Sequence, residues 1–441
     1  MAALRSDKVW LIRSFLRPGL GLKRWLLLCV LGVGCIGLGI GFAIATPISP
    51  RLLAIGQTLT LKFLPPLWRG SVFIAIGCVL VTIALVRIYH IVEGKLRRRR
   101  EGVSLIEALH TDAVLSRGPR VVAIGGGTGL STLLRGLKQY TAHITAIVTV
   151  ADDGGSSGRL RAELGIPPPG DARNCLIALS EAEPVMERLM GYRFQKGESL
   201  AGHSLGNLLL AALIQMEGSL EKALESASSL LAVRGRVVPV SERPDLVLKA
   251  ETEDGEIFTG ESHLGHTGKR IKRVWLEPRD APPSPLALRA IAQADLIVIG
   301  PGSLFTSLIP NFLVQGITDA VNAARAPKVL VCNVATQPGE TDGFSVADHL
   351  QVFQGHTGVQ VTHLLVNDNV RPLPPQWHQE AVRPEKPPGF SGVYIEADVV
   401  DEALRTRHDP HKLARCLIGL VSADKRITSV AAVPSAVGPQ A

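Results

Sequence analysis

The sequence predicts an α/β fold: a doubly wound, mostly parallel sheet with a β-hairpin insertion, preceded by two transmembrane helices. From Arg120 onward, short Val- and Ile-rich runs alternate with amphipathic helices, which is typical of buried parallel strands. The stretch 246–262 instead alternates polar and apolar residues around Asp254-Gly255, as a β-hairpin does. Before Arg120, two long apolar runs approach the length that crosses a bilayer.

The charge of the 441-residue chain is concentrated at its N-terminus. Residues 1–100 contain 15 of the 47 Lys and Arg residues but only two acids, Asp7 and Glu93, and carry about +13. The remaining residues hold 32 basic and 37 acidic side chains, or about −5. Because the folded part is mildly acidic, we expect no nucleic-acid partner. The six cysteines have no metal or redox spacing and are expected to be reduced thiols.

The two apolar runs predict a membrane hairpin over residues 1–100, with spans at about 25–48 and 71–92. The first is too long for a cleaved signal peptide, and a second run follows it. Arg87 and Tyr89 suit the interfacial end of the second run. Basic residues precede the first run and follow the second, which predicts a two-span protein of the inner (plasma) membrane with a cytoplasmic main domain. Lipid headgroups are the expected partners of Arg97–Arg100.

A linker and one large domain are predicted to follow the hairpin. Ser104 and Glu107 form a capping box, which predicts a linker helix within 101–118. The main domain is expected at 119–425, and a flexible tail at 426–441. Its predicted strands are RVVAIG, ITAIVTVAD, RVVPVSE, DLVLKAET, RIKRVWLE, DLIVIG, KVLVCNVA and VTHLLVN. Its helices are predicted to begin near Ser131, Ala172, Ser204, Leu220, Pro285, Phe312, Val346 and Pro410.

The stretch VVAIGGGTGLSTLLRGL joins the first predicted strand of the domain to a helix through glycines. Glycine lets the backbone approach a phosphate, and the N-terminus of a helix offers free N–H groups. The alternative is a tight strand–helix turn without a ligand. The loop lacks the Lys of a P-loop, and Leu130 replaces the last glycine of a dinucleotide fingerprint. The candidate phosphate-binding residues are Gly125, Gly126, Gly127, Thr128 and Gly129.

Acidic and polar residues follow the second strand in VADDGGSSGRLR and PPPGDARN. Asp152 and Asp153 can hold a ribose, a magnesium ion or a base edge, whereas the simpler interpretation is a capped turn. Arg173 is a candidate phosphate partner or a member of a surface ion pair. Asn207, one turn into the helix of GHSLGNLLLAAL, is expected to face the cleft.

A second candidate loop, GPGSLFTSLIPN, follows the buried strand LIVI. Backbone N–H groups of such a turn form an anion nest, and Gly302, Ser303 and Thr306 are its candidate ligand residues. Asn333 follows a third strand in NVATQPGET and is expected to line the same cleft. Two loops of this kind in one domain favour a phosphate-bearing ligand more than either loop does alone.

These six segments, in this order, resemble the gluconeogenesis-factor (YvcK-like) family, which is related to the CofD-like 2-phospho-lactate transferases. The resemblance covers 120–422 and implies a Rossmann-like fold that binds a nucleotide or a nucleotide sugar, typically a UDP-sugar. It also implies a regulatory role in central carbon use and in cell shape and envelope morphogenesis. The membrane hairpin departs from the family, whose usual members look soluble.

Two functional hypotheses follow from the residues and the resemblance. The first is a regulatory protein that binds a nucleotide sugar, with Mg²⁺ at Asp152 and Asp153 as its only candidate cofactor. The second is an enzyme that transfers a phospho-lactate-type group from an activated nucleotide, for which no flavin-like acceptor pocket can be identified. A tubulin-like GTPase is disfavoured by Leu130 and Ser131. A homo-oligomer and a protein partner are left open.

Overall fold

The computed structural model describes residues 22–44, 66–96, 114–264 and 269–431. The chain divides into two compact units, one ending at Val114 and the other beginning at Leu115. The N-terminal unit contains helix α1 (Leu22–Ile44) and helix α2 (Pro66–Leu96). These helices approach closely at Gly32 and Gly77, since a Cβ at Gly77 would lie 2.7 Å from the Gly32 carbonyl oxygen. Their outward faces are apolar and include Leu27 and Val30, each 71% exposed.

The predicted membrane spans lie on these two helices. Among the residues that the structure describes, no helix is long and apolar enough to cross a membrane. The predicted spans extend beyond the described side chains, which cover 27–38, 40 and 71–87 in this region. The structure therefore does not support the two-span hairpin, which stays a prediction. The predicted linker helix falls mostly on 101–113, outside the described residues.

Ten strands in two sheets are described in the main unit. In chain order they are β1 (Val121–Gly125), β2 (Ile144–Val148), β3 (Arg236–Pro239), β4 (Val247–Thr252), β5 (Ile257–Thr259), β6 (Ile271–Glu277), β7 (Leu296–Ile299), β8 (Lys328–Val331), β9 (His363–Asn367) and β10 (Val393–Ala397). Seven form one parallel sheet in the order β10-β9-β8-β7-β1-β2-β3. The other three form a small antiparallel sheet in the order β5-β4-β6.

The order of the parallel sheet creates a switch point between β1 and β7. The chain proceeds outward from β1 to β3, then returns to the other side of β1 at β7 and proceeds outward to β10. Strand β7 is buried along its whole length, and its Ile299 pairs with Ile124 of β1. At such a switch point the loops after the two strands diverge and leave a crevice, where open α/β sheets bind ligands. The two glycine loops predicted from the sequence follow these two strands.

Twelve α-helices of the main unit are described, and they connect and cover the strands. They are α3 (Gly127–Leu137), α4 (Gly155–Leu164), α5 (Gly170–Leu179), α6 (Glu183–Gly191), α7 (Leu205–Glu217), α8 (Leu220–Leu230), α9 (Glu261–Leu264), α10 (Pro285–Ala292), α11 (Ile309–Phe312), α12 (Ile317–Ala323), α13 (Val346–Thr357) and α14 (Pro410–Ala431). A π-helical turn, Leu304–Leu308, precedes α11.

The α/β fold with a mostly parallel sheet is confirmed, and the structure also contains the β4–β5 hairpin. Several details differ from the sequence prediction, which also lacked strand β10 and helices α6 and α12. Helix α3 begins at Gly127 rather than near Ser131, so the glycine loop forms its first turn. Helix α4 was not predicted, because its first turn, Gly-Ser-Ser-Gly, has low helix propensity. Helix α14 continues past Arg426 to Ala431, into the predicted tail, and 432–441 lie outside the described residues.

The packing of α14 on α3 depends on Gly136. A Cβ at this position would overlap the carbonyl group of Pro410 and lie 2.8 Å from Cβ of Ala414. We therefore expect Gly136→Ala to lower the free energy of unfolding by about 1–3 kcal/mol, because α14 must shift.

The matched control is Gly355→Ala, at an exposed position of α13 where an added Cβ would meet no atom within 4 Å. It should be neutral or stabilising by up to about 1 kcal/mol, since Ala favours helix. Thermal and urea denaturation would measure the stability of both variants against the wild type. Equal stabilities of the two variants would contradict this account of the contact.

Candidate functional site

The first glycine loop lies at the N-terminus of α3, and protein atoms explain two of its glycines. A Cβ at Gly126 would overlap the Asp171 carboxylate and lie 2.8 Å from Cγ2 of Thr149. A Cβ at Gly129 would lie 2.5 Å from the carbonyl oxygen of Pro301, in the second loop. Only Gly127 combines a positive φ, +63°, with open space towards the cleft, since Ser307 Oγ at 3.6 Å is its nearest neighbour. The contacts of Gly126 give it a reason to be glycine that involves no ligand, and its role in phosphate binding stays a prediction.

The second loop is held in place by side chains from two neighbouring segments. Asn333, after β8, accepts a 3.4 Å hydrogen bond from the N–H of Gly302 and donates a 2.9 Å bond to its carbonyl oxygen. Ser303 caps the π-helical turn, because its Oγ accepts a 3.2 Å bond from the N–H of Thr306. The Ser303 hydroxyl in turn donates to Glu340. Asn333 and Ser303 therefore already have protein partners, and they position the loop.

The two loops share one cleft of about 700 Å³, here called the main cleft. Two further segments complete its walls. One belongs to the small antiparallel sheet of β4, β5 and β6, here called the inserted sheet, and the other is the segment before α14. The lining residues are Gly126, Gly127, Thr128, Gly129, Thr132, Asn174, Glu261, Ser262, Pro301, Gly302, Ser303, Thr306, Ser307, Asn333, Val334, Ala335, Thr336, Gln337, Glu340, Gln379, Thr406, Arg407 and His408.

Four titratable side chains line the main cleft. Burial raises the pKa of Glu340 to about 6, although the Ser303 hydrogen bond opposes the shift. Burial, together with the charges of Asp171 and Asp152, raises the pKa of Glu261 well above its ordinary value. Burial lowers the pKa of His408 to about 4, so this ring is neutral at physiological pH. Arg407 is the fourth group and supplies a positive charge to this cleft.

A smaller cavity of about 260 Å³, here called the side pocket, lies beside the main cleft and shares Asn174 with it. It lies between the loop after β2 and helices α4, α5 and α7. Its lining residues are Asp152, Gly154, Gly155, Ser156, Ser157, Gly170, Asp171, Arg173, Asn174, Arg193 and Asn207.

The predicted acidic pair is divided by the structure. The Asp152 carboxylate lines the side pocket and accepts a 2.8 Å bond from the N–H of Gly154, while burial raises its pKa. The Asp153 carboxylate lies against the inserted sheet and accepts a 2.9 Å bond from the N–H of Ser262. Within the described residues, no group of three or more His, Cys, Asp or Glu side chains is placed to hold a metal ion. A magnesium site at Asp152 and Asp153 therefore gains no support from the structure.

Asp171 connects the two cavities. Its carboxylate accepts a hydrogen bond from the N–H of Gly127, at the start of α3, and also lines the side pocket. Burial and the nearby Asp152 raise its pKa from 3.8 to about 7. Its sequence context does not indicate a ligand residue, because an Asp at the start of a helix is usually its cap. Here Pro169 is the N-cap of α5, and Asp171 reaches to α3 instead.

The predicted site residues fall into three groups. Gly126, Gly127, Thr128, Gly129, Gly302, Ser303, Thr306 and Asn333 line the main cleft. Asp152, Arg173 and Asn207 line the side pocket. Gly125 and Asp153 line neither cavity; the Gly125 carbonyl oxygen accepts a 3.1 Å bond from Asn311.

Sequence reasoning missed Glu261, Asn174, Arg407 and His408, all of which line the main cleft. Glu261 is contributed by the inserted sheet, and Arg407 and His408 precede the last helix. No local motif connects these segments to the glycine loops. Asn174 stands in the GDARN segment, where only Arg173 was considered.

The chain matches the family model described as 2-phospho-L-lactate transferase CofD over residues 121–389. It is 43% identical to a "Putative gluconeogenesis factor" of Nostoc sp. (strain PCC 7120), across 92% of this chain and 91% of the relative. It is 48% identical to the gluconeogenesis factor of Bacillus subtilis (strain 168), across 69% of this chain and 98% of the relative. A crystal structure of a UPF0052-family protein from Bacillus halodurans superposes with a TM-score of 0.65 and 48% identity, covering 68% of this chain and 99% of that one.

The raised pKa of Asp171 predicts a stability effect with a defined sign. Below pH about 4 its carboxyl is protonated in both the folded and the unfolded chain, so it has no effect. Between 3.8 and about 7 the unfolded chain ionises first, so stability falls as pH rises, and the full cost remains above that range.

Asp171→Asn should therefore reduce the fall in melting temperature between pH 5 and pH 8, by about 2 °C or more. Asparagine keeps an oxygen that can accept from the Gly127 N–H. Glu163→Gln, at an exposed position of α4, is the charge-matched control and should show the wild-type profile. An unchanged profile for Asp171→Asn would contradict the assigned cause.

Proposed function

The chain belongs to the CofD family and, within it, to the gluconeogenesis factors, and we propose that it is a membrane-anchored regulatory protein that binds a nucleotide sugar. The observation that carries the proposal is the convergence of two loops, after the adjacent strands β1 and β7, on one cleft. The Gly127 turn directs the N-terminus of α3 into this cleft, where its dipole favours a phosphate. The regulatory role would link central carbon metabolism to cell shape and envelope morphogenesis.

The main cleft suits a nucleoside diphosphate in size and in lining. Its volume of about 700 Å³ lies within the range of roughly 300–1,000 Å³ that is usual for ligand sites. The Thr128 hydroxyl lines the first loop and can donate to a phosphate, whereas the hydroxyls of Thr132 and Thr306 donate to protein oxygens at 2.9 and 2.8 Å. Arg407 supplies a guanidinium group, which recognises phosphate oxygens with two parallel donors. The proposed ligand is a UDP-sugar, by family resemblance, with Mg²⁺ as an optional companion of the diphosphate.

Transferase activity is the second candidate, because the matching family model is that of 2-phospho-L-lactate transferase. Such an enzyme would need an acceptor pocket beside the activated nucleotide. It would release the nucleotide from its activated donor only when an acceptor is present. A regulatory binding protein would bind the nucleotide sugar without turnover, so product analysis separates the two candidates.

We propose that the N-terminal unit attaches the domain to the inner membrane through lipid contacts of residues 1–100, leaving the domain in the cytoplasm. The exposed Val33 and Val79 extend the outward apolar faces of α1 and α2, and Arg97–Arg100 follow the second helix. The alignment with the Bacillus subtilis relative covers 98% of that protein but only 69% of this chain. The alignment with the Nostoc relative covers 92% of this chain, so it must include part of the N-terminal unit. The anchor would therefore belong to some members of the family.

The role of Arg407 can be tested by isothermal titration of the purified full-length protein with UDP, UDP-glucose, UDP-N-acetylglucosamine and GDP. Arg407→Gln should weaken UDP and both UDP-sugars by about tenfold to a hundredfold, since it removes a charge-assisted hydrogen bond. Arg415→Gln, at an exposed position of α14, makes the same charge change and should bind as the wild type does. Wild-type protein that binds none of these nucleotides would refute the proposal.

The anchor is tested by fractionation. Full-length protein should sediment with membranes and require detergent for release, whereas a chain of residues 101–441 should remain in the supernatant. A reporter fused after Ala441 should be active on the cytoplasmic side of the membrane. Recovery of the full-length protein in the supernatant without detergent would contradict the anchor and would leave the ligand proposal standing.

A further inference from the structure

We propose that the side pocket is the subsite for the sugar ring of the ligand, whose diphosphate lies in the main cleft. This inference rests on the proposed function, which it extends by assigning the sugar to particular residues. From the sequence, Asp152 was a candidate for holding a ribose, a magnesium ion or a base edge, and Arg173 for contacting a phosphate.

The chemistry of the lining fits a neutral, hydroxyl-rich group. None of the side chains that line the pocket is apolar or aromatic. Its formal charges balance, because Asp152 and Asp171 face Arg173 and Arg193 in the same small volume. A sugar hydroxyl both donates and accepts hydrogen bonds, so it can use the carboxylates and the guanidinium groups together. A phosphate would meet two carboxylates here, and a flavin-like ring would find no apolar contact.

Size and position also agree with this assignment. The volume of about 260 Å³ is below the range of roughly 300–1,000 Å³ that holds a drug-sized ligand, so the pocket takes one ring-sized group. Asn174 lines both cavities. Asp171 lines the side pocket and accepts a hydrogen bond from Gly127 of the first loop. One ligand can therefore place its diphosphate at the glycine loops and its sugar beside Asp152.

The walls of the pocket are held in place by their own hydrogen bonds. Arg173 donates to Ser204 Oγ at 2.6 Å, to Asn207 Oδ1 at 2.8 Å and to Asn174 Oδ1 at 2.9 Å. Asn207 in turn donates to Ser156 Oγ at 3.1 Å. Both polar atoms of the Asn207 side chain have protein partners, so we assign it to positioning the pocket. Such preorganisation lowers the entropic cost of binding.

One donor in this network still lacks a protein acceptor. Among the described residues, the buried Nε of Arg173 has no hydrogen-bond partner. Because this atom has almost no accessible surface, it is not assigned to ligand contact. The Asp152 carboxylate and the Asn174 amide line the pocket, and these are the groups that we assign to sugar recognition.

The test compares UDP with UDP-glucose and UDP-N-acetylglucosamine on purified full-length protein by calorimetry. Asp152→Asn removes a charged acceptor but keeps an oxygen for the Gly154 N–H, so the loop should be retained. It should weaken both UDP-sugars by about tenfold or more. It should leave UDP binding unchanged or slightly stronger, because one negative charge near the diphosphate is lost.

Two further variants make the test decisive. Arg193→Gln, at the exposed rim of the pocket, should also reduce UDP-sugar affinity more than UDP affinity. If Asp152→Asn fails to fold, this variant alone tests whether the pocket binds the sugar. Glu163→Gln, exposed on α4, matches the charge change of Asp152→Asn and should bind all ligands as the wild type does.

The outcomes separate this inference from the proposed function. If Asp152→Asn and Arg193→Gln lose affinity for the UDP-sugars but not for UDP, the sugar subsite is supported. Equal effects of Asp152→Asn and Arg193→Gln on UDP and UDP-sugars, or no effect on either, would overturn the subsite and leave the proposed function intact. Wild-type protein that binds neither UDP nor UDP-sugars would overturn both.

Discussion

The close contact between the two glycine loops is the constraint on which the rest of the site depends. Gly129 approaches Pro301 and Gly302 so closely that no side chain fits between them. This contact is available only because β1 and β7 are neighbours, and they are neighbours because the strand order reverses there. The hydrogen bonds of Asn333 and the cap formed by Ser303 hold the second loop in this position beside the N-terminus of α3.

The site also contains several carboxyl groups close together. Asp152, Asp171, Glu261 and Glu340 all lie in or beside the two cavities, and burial raises the pKa of each. Buried carboxylates near one another destabilise a fold, so their presence points to a use other than stability. They also set a condition on any anionic ligand, which must approach Arg407 and the helix N-terminus while avoiding these groups or neutralising them.

The sequence predicted those parts of the structure that depend on local patterns. Buried Val and Ile runs predicted six of the seven strands of the parallel sheet, and β10, which has no fully buried residue, was missed. Glycines with hydroxyl residues at strand ends predicted the two loops. The reason for Gly126 was not predictable, because its close neighbour Asp171 comes from another helix. Glu261 and Arg407 were missed for the same reason: each reaches the cleft from a distant segment without a local signature.

The inserted sheet makes the ligand site modular. Strands β4, β5 and β6 form a separate antiparallel layer, yet their connecting segment supplies Glu261 and Ser262 to a wall of the main cleft. Asp153 fastens that segment to the loop after β2 through the N–H of Ser262. An exchange of this sheet between relatives would replace one wall of the cleft and keep the two glycine loops. Ligand preference could thus diverge within the family while the parallel core stays unchanged.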